Sequence, residues 1–242
     1  MKRSLALVAT TAALLGTAIP AHADPVPGAR AQAVDAKVKE AQTILARWGV
    51  PVGPADGLSG PMTVRGLCAF RRMASMPTTR GGLDSATYAK IKEYGAKYRS
   101  ITDIPASSFQ GSTTYLHVSQ TCQTMFYAKG RRWQRVLAVS TGVPGHSTPG
   151  GYYTVSNTTK GWWCSTLYPE SCRTQTTGEF AYVSNYGNMY NPRQVVGAIY
   201  VHGSTSVPTY PASHGCIRVT VNDSDWLYHN VDSMRIFITG AY

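Results

Sequence analysis

Acidic side chains are scarce in this 242-residue chain: 12 Asp and Glu stand against 23 Lys and Arg, a formal net charge of +11. None lies between Arg193 and Val221, the stretch that holds His202, His214 and Cys216. Those three, with His117 and His146, are the candidate zinc ligands. No His-Glu-x-x-His or Cys-x-x-Cys spacing occurs, however, and the stretch offers no carboxylate to complete a site. No metal and no other cofactor is therefore expected. Long apolar runs are rare as well: the run from Leu5 to Ile19 is shorter than the roughly 20 residues a transmembrane helix needs, and no later stretch is long and apolar enough. Helix-turn-helix, RNP and zinc-finger patterns are absent, so the positive charge does not point to nucleic acid. Internal repeats are absent too.

What is present begins with an export signal. Basic Lys2-Arg3, the apolar run and Ala21-His22-Ala23 before Asp24 are the three parts of a secretory signal over residues 1–23. Removing Lys2 and Arg3 takes the charge to 11 − 2 = +9, and a basic exported protein first meets the polyanions of a cell wall. The expected location is secreted or at the cell wall, without a transmembrane segment.

Composition divides the remainder in two. Residues 24–34 and 99–112 carry Pro, Gly, Ser and Ala and read as linkers. Between them, over residues 35–98, Val38, Ala41, Leu45 and Trp48 recur at helical spacing until Gly49. Val64, Leu67 and Phe70 follow Pro61, and Tyr88 and Ile91 follow Asp84, an N-cap. Three short helices in a module of about 60 residues bury only about 60% of their unfolded surface, so the module calls for a brace.

From residue 113 to 242 the periodicity changes. Tyr115, His117 and Ser119 alternate with Leu116 and Val118, and 135–139, 152–155 and 180–183 are short β-rich runs bounded by Gly and Pro. Residues 195–201 and 217–221 read as strands on either side of the Cys216 stretch. Only 223–231 reads as a helix, with Trp226, Leu227 and Val231 facing inward. The expected fold class is α+β and multidomain: a small three-helix N-terminal module, then a mostly antiparallel, sandwich- or barrel-like β domain.

Five cysteines in an exported chain imply two bridges and one free thiol. Cys164 and Cys172 bracket a short Pro-containing loop and form the natural first pair. Cys68 and Cys122 then pair by elimination, bracing the helical module against the β domain, and Cys216 stays free; sequence alone leaves other connectivities open. Cys216 sits in a turn rich in Gly, Ser and Pro, carried between two strands. An imidazole beside a thiol draws its pKa from about 8.5 toward neutrality, so the reactivity of Cys216 is expected to climb through the neutral range.

The order His202-Gly203, then Ser213-His214-Gly215-Cys216-Ile217-Arg218, resembles the signature of the L,D-transpeptidase catalytic domain, the YkuD family. Thr148-Pro149-Gly150-Gly151-Tyr152-Tyr153 resembles that family's upstream Thr-Pro-x-Gly-x-aromatic segment, so the likeness runs from near Thr113 to near Thr239. Asp56-Gly57-Leu58-Ser59-Gly60-Pro61-Met62-Thr63, followed by Leu67 and Phe70, resembles peptidoglycan-binding-domain-1 modules, with Arg71 where a Gln is usual.

The first resemblance implies a residue-by-residue reading. Cys216 attacks the carbonyl of the third residue of a peptidoglycan tetrapeptide stem, expels the terminal D-alanine and forms a thioester. His202 is the base and then the acid, oriented by the carbonyl of Gly203. His214 ranks second as base and, with Gly215, presents backbone N–H groups to the oxyanion. Ser213 and Arg218 hold substrate-supporting positions, Arg218 toward a carboxylate. An amine acceptor then gives a 3→3 cross-link, whereas water makes the protein an L,D-carboxypeptidase. The Trp162-Trp163-Cys164 loop is either a lid or a pair of core plugs. Implied partners are stem peptides and wall polyanions, with carbapenem-type β-lactams as inhibitors. The alternatives are another thiol peptidase of the cell wall and a noncatalytic peptidoglycan-binding protein. Cleavage after Ala23 predicts an exported protein that begins at Asp24, which N-terminal sequencing of the secreted form will show.

Overall fold

The computed structural model describes residues 33–157, 160–165 and 188–242. The expected signal at 1–23, the β-rich run at 180–183 and Cys172 fall outside them.

Helix α1 (Ala36–Arg47) starts where the Asp35 carboxylate accepts from the backbone N–H groups of Lys37 and Val38 at 2.7 and 3.3 Å, and the chain turns away at Gly49, whose φ is 70°. Its buried face is Val38, Ala41, Gln42 and Leu45. Gln42 is polar because it holds the Asp56–Thr63 turn. Its amide donates to Asp56 Oδ1, Leu58 O and Thr63 Oγ1 at 3.0–3.1 Å and accepts from Gly57 N at 2.8 Å. Helix α2 (Pro61–Met73) opens on proline, and α3 (Ser85–Lys97) is capped by Asp84, which accepts from Thr87 N at 2.7 Å. Arg71 ties these two together: it pairs with Asp84 at 2.7 Å and donates to Gly82 O at 2.7 Å and Thr87 Oγ1 at 3.0 Å. The departure from the expected Gln is thus a helix-to-helix tie.

The β strands are β1 (Tyr115–Ser119), β2 (Thr124–Lys129), β3 (Arg132–Ala138), β4 (Gly151–Asn157), β5 (Trp162–Trp163), β6 (Met189–Val196), β7 (Ile199–Ser204), β8 (Ile217–Thr220) and β9 (Met234–Thr239); α4 (Val221–Asn230) lies between the last two. They form one sheet in the order β3-β2-β1-β9-β4-β6-β7-β8, with β5 on β6. Among the described strand pairs only β1–β9 and β7–β8 are parallel. The sheet curls until the chain leaving β3 meets β8, where Ser140 and Arg218 exchange backbone bonds of 3.0 and 2.9 Å. The α+β class with three N-terminal helices and a curled, mostly antiparallel sheet is as expected.

Two local readings change. The run 195–201 is not one strand: β6 ends at Val196, Gly197 adopts φ 53°, and the chain reverses into β7. The stretch 99–112 is packed rather than a free linker, because Ile101, Ile104 and Ala106 are buried, and Ile104 O accepts from Trp133 N at 3.2 Å. Ile104 belongs to a core that also holds Leu45, Trp48, Phe70 and Ile91 of the helical part and Tyr115, Phe126, Trp133 and Phe237 of the sheet. The opposite face of β1 feeds a second core of Leu116 and Val118 with Val201, Ile217, Val219 and Leu227. Strand β1 is therefore buried on both faces, and the helices and sheet of residues 33–242 share a hydrophobic interior. No helix among the described residues is long and apolar enough to cross a membrane.

A Cys68–Cys122 disulfide joins α2 to the turn between β1 and β2, as the cysteine arithmetic expects. Cys164 is also disulfide-bonded, and Cys216 carries a free thiol. The Cys68–Cys122 bridge spans 54 residues, for which loop entropy alone gives about 4 kcal/mol. Replacing both cysteines by serine is expected to lower the unfolding free energy by ~2–4 kcal/mol in a denaturant titration.

Candidate active site

Strands β7 and β8 run in register, Val201 beside Ile217 and His202 beside Arg218. Alternation sends Val201, Ile217 and Val219 into the second core and puts His202 and Arg218 on the other face. Cys216 immediately precedes β8, and its sulfur is reached by the N–H of Tyr200 on β7 and by the charge of Arg218. The strand pair thus sets the Cys216 thiol and the His202 imidazole each within the field of the Arg218 guanidinium, although sequence separates His202 from Arg218 by 16 positions.

His202 is 4% exposed, and its Nδ1 lies 3.0 Å from Gly203 O. A carbonyl only accepts, so Nδ1 carries the proton and Nε2 is left with a lone pair. Burial holds the imidazole well below its ordinary range, at about 4, with Arg218 adding to the depression and the Gly203 bond opposing it. Gly203 has no room for a side chain: a Cβ there would lie 2.9 Å from Ser224 Cβ of α4 and 2.9 Å from Tyr190 Cβ of β6. Ser224 Oγ also donates to Tyr190 O at 2.9 Å. Helix α4 and β6 together press on the strand that carries the histidine.

The Cys216 thiol is half-buried and donates to Ala198 O at 3.7 Å. Burial pushes its pKa up, against the N–H of Tyr200 and the charge of Arg218, which both favour the thiolate. The expected drift toward neutrality is therefore reversed: at rest the site holds a neutral thiol and a neutral imidazole. Such a pair can pass a proton from sulfur to nitrogen during an attack without first forming an ion pair.

The turn before the thiol is shaped from within. Ser213 Oγ donates to Cys216 O at 2.5 Å and accepts from Gly215 N at 3.2 Å. Ser213 is only 2% exposed and builds the turn. Gly215 takes φ 108°, a conformation side chains disfavour. His214 is exposed, its ring edge-on to that of His146 with centroids 4.9 Å apart.

Residues 140–148 cradle this turn from outside. Ser213 N donates to Thr141 O at 3.1 Å, Val143 N to Ser213 O at 2.9 Å, and Thr148 Oγ1 to Gly215 O at 2.8 Å. Gly142 allows the approach, since a Cβ there would meet His146 O at 2.0 Å. Gln123 holds Thr141 in turn, accepting from its N–H and donating to its hydroxyl, each at 2.8 Å. Of these, Thr148 stands in a motif legible in the sequence. Gln123, Ser140, Thr141, Gly142 and Ala198 carry no such signal beyond the small residues of Ser140-Thr141-Gly142, which suit a close backbone approach.

Arg218 has no acidic partner among the described residues. His117, buried far along the sheet's first strand, bonds Thr239 Oγ1 at 2.7 Å, and burial holds it at about 3. No group of three His, Cys, Asp or Glu suited to a metal occurs among the described residues. Trp163 is 47% exposed and pairs with Met189 across β5–β6, which rules out a core plug for that ring.

Residues 113–238 match the model of the L,D-transpeptidase catalytic domain (YkuD), and residues 34–91 match that of a peptidoglycan binding domain. The first match covers more than half of the chain, which therefore belongs to the YkuD L,D-transpeptidase family. An L,D-transpeptidase from Xylanimonas cellulosilytica is similar in structure, with a TM-score of 0.53 and 26% identity over 86% of this chain and 95% of that one. An L,D-transpeptidase from Stackebrandtia nassauensis gives a TM-score of 0.47 and 19% identity over 86% and 93%. No curated protein matches. The chain is an L,D-transpeptidase, an enzyme that acts on peptidoglycan.

The two buried histidines carry a pH prediction. An unfolded imidazole binds its proton near 6.5, whereas folded His202 and His117 bind theirs only near 4 and 3. The unfolded state holds the extra protons between those values, so their contribution to stability rises with pH from about 3 to about 6.5 and levels off above. Denaturation at a series of pH values, with ring NMR signals that stay neutral at pH 5.5, is the check.

Proposed function

We propose that the protein is an exported cysteine L,D-transpeptidase that forms a Cys216 thioester and passes the acyl group to an amine, giving 3→3 cross-links. The observation that carries this reading is the free Cys216 thiol at the start of β8, next to the strand β7 whose His202 has Nδ1 fixed on Gly203 O and Nε2 left as the acceptor, with the Arg218 charge acting on both groups. Residues 1–23 are the export signal, 35–98 the peptidoglycan-binding module and 113–242 the catalytic domain. The wall stem peptide and wall polyanions are its partners.

Cys216 turns from Ala198 O toward the substrate. Its proton passes to His202 Nε2 as sulfur bonds the carbonyl carbon of the third stem residue, and the π pair moves onto oxygen. Backbone N–H groups of the His214-Gly215 turn receive that oxyanion, Gly215 N–H leaving its rest on Ser213 Oγ; each such donor typically contributes ~3 kcal/mol. Collapse breaks the C–N bond, His202 returns the proton to the D-alanine nitrogen, and the thioester remains. Arg218, without an acidic partner among the described residues, takes a stem carboxylate. An amine of a second stem then attacks the thioester. Among similar structures are an L,D-transpeptidase in complex with imipenem and L,D-transpeptidase 3 from Mycobacterium tuberculosis in complex with a faropenem-derived adduct. A strained β-lactam is an acyl donor for the same thiol.

Intact mass after exposure to a carbapenem should rise by one adduct in the wild type and stay unchanged in Cys216→Ala. With a disaccharide-tetrapeptide as substrate, dimers mark transfer to an amine, whereas tripeptide alone would mark an L,D-carboxypeptidase. Because the acting base is neutral His202, the acylation rate should hold across the neutral range and fall as pH drops through about 4. His202→Ala is expected to cost at least ~10²-fold at pH 7, and His214→Ala to lower the rate without moving the profile. A profile that moves in His214→Ala and not in His202→Ala would exchange the two roles.

A further inference from the structure

The helical module touches the catalytic stretch as well as the sheet. Arg65 and Cys68 are one turn apart on α2 and face the same way. Cys68 is bridged to Cys122, and the Arg65 guanidinium donates through Nη2 to Pro208 O, inside the segment that leads from His202 to Cys216. Arg80, seven residues beyond the end of α2, reaches Thr209 O and Thr121 O, each at 3.4 Å, and its guanidinium lies 4.4 Å from the Tyr242 ring centroid. The next carbonyl, that of Tyr210, accepts from Ser140 Oγ at 2.8 Å. Three consecutive carbonyls, at 208, 209 and 210, are thus held from outside their own segment, two of them by the helical module.

The cost of this arrangement argues for its purpose. Arg65 is 4% exposed, its Nε is buried without a partner, and no acidic residue pairs with either arginine among the described residues. Burial and the like charge of Arg80 pull the Arg65 pKa down to about 10. A general-purpose anchor would use a carboxylate or an apolar contact, since a buried cation on neutral carbonyls is poorly compensated. What the carbonyls do offer is position, because they belong to the segment whose end is Cys216.

We infer that Arg65 and Arg80 are positioning residues, through which the helical module sets the 207–211 segment and thereby the approach of the stem peptide to Cys216. Beyond any binding to wall, the module is then a working wall of the active site. The inference rests on Cys216 as the reacting group. A single carbonyl needs one donor, which a lysine can supply where a bidentate partner would refuse it.

The test uses the exported full-length chain with its disulfides intact, in wild type, Arg65→Met, Arg65→Lys, Arg80→Met and Cys216→Ala. Amide hydrogen exchange by mass spectrometry should speed up about tenfold or more over residues 207–216 in Arg65→Met while β1 and β9 keep wild-type rates. Turnover of a disaccharide-tetrapeptide should show KM raised by about fivefold to tenfold, with kcat lowered less, and Arg65→Lys should recover most of both. Arg80→Met should change the same residues to a smaller degree, and it carries the test if Arg65→Met fails to fold. Wild-type exchange and wild-type KM in Arg65→Met would overturn the inference. So would exchange that rises as much in β1 and β9 as in 207–216, which would make Arg65 a general stabiliser. Retained turnover in Cys216→Ala would remove the thiol as nucleophile and leave the exchange result standing, so the two failures are distinguishable.

Discussion

The site depends above all on the two backbone bonds exchanged by Ser140 and Arg218. They join the chain leaving one end of the sheet to the strand at the other, and they make the curl a fixed shape. Around that join the following residues, Thr141 and Val143, bond the backbone on the other side of the nucleophile turn, while Thr148 and Ser213 secure Gly215 and Cys216 from either side. The turn is held by bonds on both faces, the pre-organisation that the proposed reaction of its thiol needs. The histidine is fixed by other means, on a strand squeezed by α4 and β6.

Because the closure is made by backbone, it places few demands on side chains beyond smallness. Gly142, Gly203 and Gly215 stand where backbone or a neighbouring element leaves no space, or where φ is positive. The chemistry-bearing side chains are correspondingly few. Their properties come from burial: one environment holds the imidazole neutral and keeps the thiol protonated at rest. A thiol in that state also resists oxidation better than a resting thiolate does.

Much of this was legible in the sequence. The three helices are carried by strong local signals, Asp35 and Asp84 caps, Pro61 and regularly spaced apolar residues, and the structure has them with their caps. The Cys68–Cys122 bridge followed from counting. The role of Gly203 as the carbonyl behind His202 followed from resemblance, and geometry agrees. What sequence could not supply was long-range or environmental. The hairpin at Gly197 hides inside a continuous β-branched run. The packing of 99–112 depends on partners in the sheet, and its Ser and Pro content suggests the opposite. Ser213 reads as a polar, accessible residue until its burial is known, and the direction of the Cys216 shift is set by desolvation that no motif encodes. Arg65 and Arg80 lie far from the signature, and nothing local marks them as touching it.

The order of the cysteines along the chain has a consequence for how the protein is made. The first two, Cys68 and Cys122, are partners, the third is also bonded, and Cys216 is the last of the five. A chain delivered N-terminus first to an oxidising compartment, as the proposed export implies, presents its bridging thiols to an oxidase before Cys216 arrives. Cys216 then reaches the oxidising side after the Cys68–Cys122 pair can have closed, when fewer wrong partners remain. Assembly order itself would protect its thiol from being cross-linked, a safeguard that a circular permutation opening the chain just ahead of Cys216 would abolish.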